Sequence, residues 1–172
     1  QVSPKDPVSK NVDHSVVFVA MDDKRFFLER LVKENPESKI LVFVRTKVRC
    51  ERVQAAMDRV GVSSVFMHGG KDQQDRMDVL NTFKLGNVKM LIATDVSARG
   101  IDIPDVDFVV NYDLPEHPEN YVHRVGRTGR GRKKGLAYAF CDDAERDLLK
   151  AIEDYISKPV KILELHTDGY KE

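Results

Sequence analysis

Short runs of consecutive apolar residues alternate along the chain with longer stretches in which apolar residues recur every three or four positions. The runs fall at residues 15–20 (SVVFVA), 40–44 (ILVFV), 62–67, 90–93, 108–110 and 136–140, and the first is rich in β-branched side chains. Runs of about 4–8 such residues between turn signals predict buried strands. The stretches between them predict helices. One covers residues 22–34, and a second carries Val53, Ala56, Met57 and Val60 on one face. A third covers 72–84 with a stripe of Met77, Leu80 and Phe83, and a last one carries Leu148, Ala151, Ile152 and Tyr155. The second is expected to stop at Gly61, because glycine accepts the left-handed conformation that follows a helix end. Asp142 and Glu145 are spaced as a capping box at the head of the last helix. Residues 162–165 add a candidate edge strand. Apolar strands alternating with amphipathic helices predict an α/β fold, a parallel sheet with helices on both faces.

Composition narrows this picture. A chain of 172 residues is long enough for one domain with a substantial core, since ~150 residues bury roughly 70% of their unfolded surface. The opening QVSPKDPVSKN has two prolines and little apolar content, so residues 1–14 read as a linker from something upstream. A start at Gln1 agrees with that expectation. Residues 15–166 then form the domain, and 167–172 a polar tail. No apolar run approaches the ~20 residues of a membrane-spanning helix, and no signal-peptide pattern is present. Cys50 and Cys141 make no metal spacing and sit in apolar-patterned segments, which suits reduced core residues of a cytosolic protein. Lys and Arg total 28 against 28 Asp and Glu, and zero net charge argues against a nucleic-acid partner. The distribution of that charge alters the expectation.

In a parallel sheet, ligands bind at the carboxyl ends of the strands, so the residues that follow each run carry the chemistry. Arg45, Thr46 and Lys47 follow the second run; His68, Gly69, Gly70 and Lys71 follow the third, with Gln73 and Arg76 just beyond. The fourth opens into ATDVSARGIDIP at residues 93–104. Thr94 and the backbone after it offer donors to phosphate, Arg99 adds a cation, and Asp102 suits ribose hydroxyls as acids do in nucleotide folds. Asp102 also reads as a turn or capping residue. After Asn111, Tyr112 and Asp113, residues 121–135 (YVHRVGRTGRGRKKG) hold six cations, Arg124, Arg127, Arg130, Arg132, Lys133 and Lys134, and no acid. Arg124 and Arg127 would share a face if the helix continued through both. Gly126, Gly129 and Gly131 disfavour helix and permit close approach of backbone to a ligand. Planar guanidinium groups grip phosphate oxygens bidentately, though the same cations also suit a solvated helix end. Asp142, Asp143, Glu145, Asp147, Glu153 and Asp154 then cluster around the last helix, so the net zero averages over a polarised chain.

Several chemistries are missing. Gly70-Lys71 is followed by Asp72 and preceded five residues earlier by Val65, so no phosphate-binding P-loop forms. Gly129 and Gly131 are followed by Lys134 where a dinucleotide fingerprint needs a third glycine. The histidines (His14, His68, His117, His123, His166) form no metal motif, and there is no serine nucleophile elbow. Phosphate-gripping arginines without a phosphate cradle describe half of a site.

The segments ATDVSARGIDIP and YVHRVGRTGR resemble motifs V and VI of the DEAD-box helicases of superfamily 2. LVFVRT at 41–46 resembles motif IV, and HGG at 68–70 with Gln73 and Arg76 resembles motif IVa. They occur in the family's order and spacing from residue 15 to about 165. His123 is similar to the DEAD-box pattern, where the DEAH group has Gln. The chain thus resembles the second, C-terminal RecA-like domain of an ATP-dependent RNA helicase, and its short polar tail resembles the bacterial RhlE-like branch.

That resemblance implies a RecA-like parallel sheet acting with an N-terminal RecA-like domain of the same protein. The N-terminal domain would supply the Walker A loop, the Asp-Glu-Ala-Asp motif with Mg²⁺, and adenine recognition. By similarity, Arg127 and Arg130 are catalytic arginine fingers toward the γ-phosphate of ATP, His123 and Arg124 couple the domains, and Asp102 contacts the ribose. Thr46, His68, Gly69, Gln73, Arg76, Thr94 and Arg99 line the RNA backbone. The resemblance further implies no metal site in this chain, and a cytoplasmic monomer that separates RNA strands locally on closure. RKKG after Gly131 is more basic than the family pattern, and residues 132–134 read either as an RNA contact or as a solvated turn. The alternatives are a non-catalytic RNA- or protein-binding module and the equivalent domain of a DNA-directed helicase. The spacing of Arg127 and Arg130 speaks against the first, and HRVGRTGR against the second.

Overall fold

The computed structural model describes residues 6–68, 72–131 and 133–164. Gly69, Gly70, Lys71, Arg132 and the polar tail lie outside these described residues. Seven strands, β1 (Val12–Phe18), β2 (Ile40–Phe43), β3 (Ser64–Phe66), β4 (Met90–Ala93), β5 (Phe108–Asn111), β6 (Gly135–Cys141) and β7 (Lys161–Ile162), form one sheet in the order β3-β4-β2-β5-β6-β1-β7. Every pairing is parallel. The helices are α1 (Lys24–Glu34), α2 (Lys47–Arg59), α3 (Gln73–Lys84), α4 (Asp95–Ala98), α5 (Pro118–Val125) and α6 (Arg146–Ile156). The expected α/β architecture is therefore present.

Both faces of the sheet are buried, which is why the central strands read as continuous apolar runs. Leu41, Phe43, Leu91, Ala93 and Val109 face a core closed by Leu80 and Phe83 of α3, Tyr121 and Val125 of α5, and Leu149, Ile152 and Ile156 of α6. Ile40, Val42, Met90, Ile92 and Val110 face the opposite core, closed by Phe27 and Leu28 of α1 and Cys50, Val53 and Met57 of α2. Cys50 and Cys141 are buried and unbridged. Burial pushes their thiols up to about 12 and about 11, so both are inert at neutral pH.

Several boundaries differ from the sequence expectation. β1 starts at Val12 and ends at Phe18, not at 15–20, because it pairs residue by residue with β6 from Gly135 onward. Residues 12–14 of the expected linker are thus strand, and Val8 is buried in the core. β3 has three residues where 62–67 were expected. Helix α4 follows β4 within a segment expected to be loop; four residues are too few to show a periodicity. The apolar stripe of α6 is Leu149, Ile152 and Ile156, with Tyr155 exposed. Adjacent leucines at 148 and 149 leave two stripes open in sequence, and contact with the core selects one. β7 is only Lys161–Ile162 against Ser15 and Val16. Two expectations match. Gly61 ends α2 at φ +79°, and Asp142 and Glu145 form the capping box ahead of α6.

From β2 the chain places β3 at one edge, returns to insert β4 between β3 and β2, and then crosses to place β5 on the other side of β2. Loops after β2, β4 and β5 diverge at that reversal, where a crevice forms at the strand ends. Beside it lies a buried charge cluster. Lys24, with no exposed surface, donates to Glu145 Oε1 at 2.7 Å and Asp113 Oδ1 at 3.3 Å, and lies 3.6 Å from Asp142 Oδ2. Arg49 donates to both oxygens of Asp113, at 2.6 and 2.7 Å, and the Arg45 N–H adds a further bond at 2.9 Å. Glu145 Oε2 accepts from the Leu114 N–H at 2.7 Å. Two of the six acids assigned to the last helix are therefore internal partners. Burial alone would raise the Asp113 carboxyl; the Arg49 bonds, the Lys24 charge and the Arg45 N–H outweigh it and hold it below its usual 3.8.

Replacing Lys24 with Met should destabilise the fold by about 3–5 kcal/mol in urea unfolding, because the carboxylates lose their shared cation. A loss under about 1 kcal/mol would show that the arginines serve them sufficiently. A carboxyl depressed by folding contributes fully above its unfolded pKa and loses that contribution as the pH falls through the folded one. Unfolding midpoints of the wild type should therefore drop steeply below about pH 4, and Asp113→Asn should flatten that limb.

Candidate functional site

Two threonines head helices at the reversal of the sheet. Thr46 ends the β2 loop and accepts from the Arg49 N–H at 3.2 Å; Thr94 follows β4 and accepts from the Ser97 N–H at 3.0 Å. Each hydroxyl accepts in its cap and keeps its own proton for a ligand. The Thr94 N–H is itself taken by Ser97 Oγ at 2.9 Å. The two caps line a cavity of about 380 Å³ with Arg45, Arg99, His117, Asn120 and Arg124. A neighbouring cavity of about 320 Å³ is lined by Arg99, Asn120, His123, Arg124 and Arg127. Asn120 borders both and was not singled out in the sequence. The available signal was spacing, since it stands one turn before His123 and Arg124 on α5.

His68 and Arg76 share a third cavity, of about 210 Å³, with Gln54. Arg76 Nη1 reaches the Ser97 carbonyl at 3.3 Å, joining α3 to α4. Gln73 is exposed at the first residue of α3. The expected backbone-binding residues thus occupy one edge in two groups: Thr46, Thr94 and Arg99 in one cavity, His68 and Arg76 in another. Gly69 lies outside the described residues.

The arginines separate into two kinds. α5 ends at Val125 and Gly126 caps it, so Arg124 is helical, Arg127 is not, and the expected shared face does not form. Arg124 is buried. Its Nε and Nη2 donate to the two oxygens of Asp95 at 2.7 and 2.9 Å, and Nη1 donates to Asn111 Oδ1 at 2.9 Å and the Asp113 carbonyl at 2.7 Å. Its plane lies 5.0 Å from the Phe43 ring centroid. These donors are committed within the protein, so Arg124 braces the loops after β4 and β5.

Arg127 is half-buried, and among the described residues its guanidinium reaches only the Ile101 carbonyl, at the long distance of 3.4 Å. Among the described residues no carboxylate pairs with it. Burial lowers its pKa, Arg130 lowers it further, and Asp102 offsets part of this. Arg130 donates from Nη1 to the Ile103 carbonyl at 2.8 Å and lies 3.5 Å from Asp102 Oδ1. Asp102 is almost wholly exposed and free to exchange that partner for another donor. The expected role of Gly129 also changes. A Cβ there would meet the Asn11 carbonyl at 2.8 Å, so glycine permits close approach of the chain to itself. Among the described residues no group of three His, Cys, Asp or Glu side chains is placed to hold a metal ion, and no helix is long and apolar enough to cross a membrane.

Comparison with known proteins bears on this edge directly. The model for the helicase conserved C-terminal domain matches residues 23–132. The ATP-dependent RNA helicase DbpA of Bacillus subtilis (strain 168) is 43% identical over 157 residues, covering 91% of this chain and 33% of that protein. RhlB of Shewanella amazonensis, also an ATP-dependent RNA helicase, is 36% identical over 169 residues, covering 98% and 38%. The chain spans between 33% and 38% of the length of these two relatives. Among solved structures, the E. coli DEAD-box protein SrmB, bound to the regulator of ribonuclease activity A, superposes with a TM-score of 0.83 at 33% identity, covering 88% of this chain and 91% of that one. The C-terminal domain of the DEAD-box protein Dbp5 gives 0.80 at 32% identity, covering 96% and 94%.

A double-mutant cycle on Arg124→Met and Asp95→Asn should give a coupling energy of roughly 1–3 kcal/mol in urea unfolding, as expected for groups sharing one network. Additive losses would show that Arg124 does not depend on Asp95.

Proposed function

Because the chain belongs to the helicase conserved C-terminal domain family, as the second RecA-like domain of a DEAD-box protein, we propose that it supplies half of an ATP-hydrolysing, RNA-binding site. The other half belongs to an N-terminal RecA-like domain of the same protein. Arg127 carries this reading: a half-buried guanidinium with a second one beside it and no carboxylate of its own among the described residues. Such a pair is suited to a polyanion brought from outside.

Arg127 and Arg130 neutralise charge on the γ-phosphate as hydrolysis proceeds; an arginine placed there contributes roughly 10³–10⁵ in rate. Asp102 accepts from a ribose hydroxyl, and its exposure supports that role. Mg²⁺ would be held by carboxylates of the first domain, and the arginines of this chain would add positive charge to the same phosphates. His123 lies on the same cavity as Arg127 and contacts the first domain on closure. Arg124 contributes to coupling from inside, by bracing Asp95 and the Asp113 loop. Since the fingers arrive only on closure, hydrolysis depends on domain approach.

Thr46, His68, Gly69, Gln73, Arg76, Thr94 and Arg99 bind the sugar–phosphate backbone of RNA. Two capping hydroxyls and a cation in one cavity support this, as do the RNA helicase activities named for the relatives. Contacts of that kind are largely independent of base sequence. Exposed Lys133 and Lys134 extend the basic edge. The protein acts as a cytoplasmic monomer, a reducing setting that suits two unbridged cysteines.

The chain by itself should show no ATP turnover above background. In the protein with both RecA-like domains, Arg127→Ala and Arg130→Ala should each lower RNA-stimulated hydrolysis by roughly 10³-fold or more, while ATP binding changes far less. Near-normal hydrolysis in either variant removes that residue from the finger role. Arg99→Ala should weaken RNA binding on all sequences alike and reduce the salt slope by about 1; an unchanged slope removes Arg99 from the phosphate contacts.

A further inference from the structure

Arg127 and Arg130 sit on a loop, and the segment ahead of β1 fastens it. Asn11 Nδ2 donates to the carbonyls of Gly129 at 2.6 Å and Lys133 at 3.1 Å, and lies 3.3 Å from that of Gly131. A primary amide has two hydrogens, so Gly129 and Lys133 take one each and Gly131 shares. The Asn11 carbonyl accepts from the Gly135 N–H at 2.8 Å, which closes the base of the loop where β6 begins. The carbonyls of Gly129, Gly131 and Lys133 therefore converge on one side chain, as on the inside of a hoop closed at Gly135. The hoop also depends on Gly129, at φ +73°, where a Cβ would lie 2.8 Å from the Asn11 carbonyl and 2.9 Å from Val12 Cγ2.

Asn11 is itself held firmly. Val8 is buried in the core, its N–H donates to Asp6, and Asp6 pairs with Lys158 just beyond α6. The Asn11 N–H donates to Ser9 Oγ at 3.1 Å, and the Ser9 carbonyl accepts from the Val12 N–H. Asn11 thus transmits the position of a fixed strap to Gly129, Gly131 and Lys133, which lie outside any helix or strand. A short side chain with two donor hydrogens is required. Leucine fills the space without donating, a serine hydroxyl is too short to span the hoop, and aspartate sets a carboxylate against three carbonyl oxygens.

We propose that Asn11 is a positioning residue for the two arginine fingers: it sets the hoop that presents Arg127 and Arg130, and it touches neither nucleotide nor RNA. This rests on the reading that Arg127 and Arg130 meet the nucleotide phosphates. Misplacement by about 1 Å can lose roughly 10²-fold in rate, so loosening the hoop lowers turnover while leaving substrate binding nearly intact.

The experiment uses the protein that contains both RecA-like domains and compares Asn11→Leu, Asn11→Asp and Asn11→Ser with Arg127→Ala. RNA-stimulated ATP hydrolysis is resolved into kcat and KM, RNA affinity is measured by fluorescence anisotropy, and folding by thermal melting. The expected result is a kcat lower by roughly 10–100-fold in the Leu and Asp variants, with ATP KM and RNA Kd within about twofold. A lowered Tm with unchanged kcat overturns the proposal, since Asn11 then only stabilises the fold. A rise in KM with unchanged kcat overturns it as well. Asn11→Ser carries the same kcat-against-KM comparison if the bulkier variants do not fold, and failure of all three to fold overturns a positioning role in favour of a structural one. Near-normal hydrolysis by Arg127→Ala overturns the finger reading and this inference with it. Severe loss in Arg127→Ala beside normal kcat in the Asn11 variants overturns this inference alone.

Discussion

The carboxylate of Asp113 accepts from the Lys24 ammonium, both arms of Arg49 and the Arg45 N–H, while the carbonyl of the same residue accepts from Arg124. These donors come from α1, the β2–α2 connection, α2 and α5, so one residue after β5 fixes the relative positions of three helices and a loop. A charge this deeply buried is tolerated only when it is paired and hydrogen-bonded. Lys24, Asp113, Asp142 and Glu145 are all buried, and loss of Lys24 removes the one cation that the three carboxylates share. The cluster therefore acts against alternative packings more than it adds net stability. Its consequence is that Thr46, which caps α2 one turn before Arg49, stands at a fixed place on the ligand edge.

The same logic divides the arginines of one short segment. Arg124 is satisfied in the interior by Asp95, Asn111 and the Asp113 carbonyl, and its charge is cancelled there. Arg127 has no such partner among the described residues, and Arg130 has only an exposed carboxylate. Exposed ion pairs contribute little and exchange readily, so Arg130 is available to a stronger anion. A net charge of zero is compatible with a polyanion-binding edge because Arg99, Arg127 and Arg130 gather there, while acids such as Asp143, Asp147 and Asp154 lie at and around α6.

Legibility in the sequence follows the range of the interactions involved. The strands were readable because both faces of the sheet are buried, and the end of α2 because Gly61 takes a left-handed conformation. The capping box of Asp142 and Glu145 was readable because its members are three residues apart. The internal partners of Arg124 were not legible, because Asp95 and Asn111 lie 29 and 13 residues away, beyond any local pattern. Asn11 was hidden more completely. Its composition context, two prolines and few apolar residues, is that of a linker, and its partners lie 118 to 122 residues further on. The grouping of Thr46, Thr94 and Arg99 was half legible: each follows a strand, but only the strand order puts β2 beside β4 and their loops into one cavity.

Catalytic groups on loops are less well placed than groups on helices or strands unless the loop is tethered, and the tethers here are dense. The Val106 N–H donates to the Arg127 carbonyl, and the Thr128 hydroxyl donates to the Val106 carbonyl. The Arg130 N–H donates to Asp105, and its guanidinium to the Ile103 carbonyl. These partners all lie between residues 103 and 106, immediately after Asp102. The segment assigned to the ribose and the segment assigned to the γ-phosphate are thus bonded to each other along both backbones. The backbones of the two segments are held together by folding itself, so the proposed contacts of Asp102, Arg127 and Arg130 would cost little backbone conformational entropy.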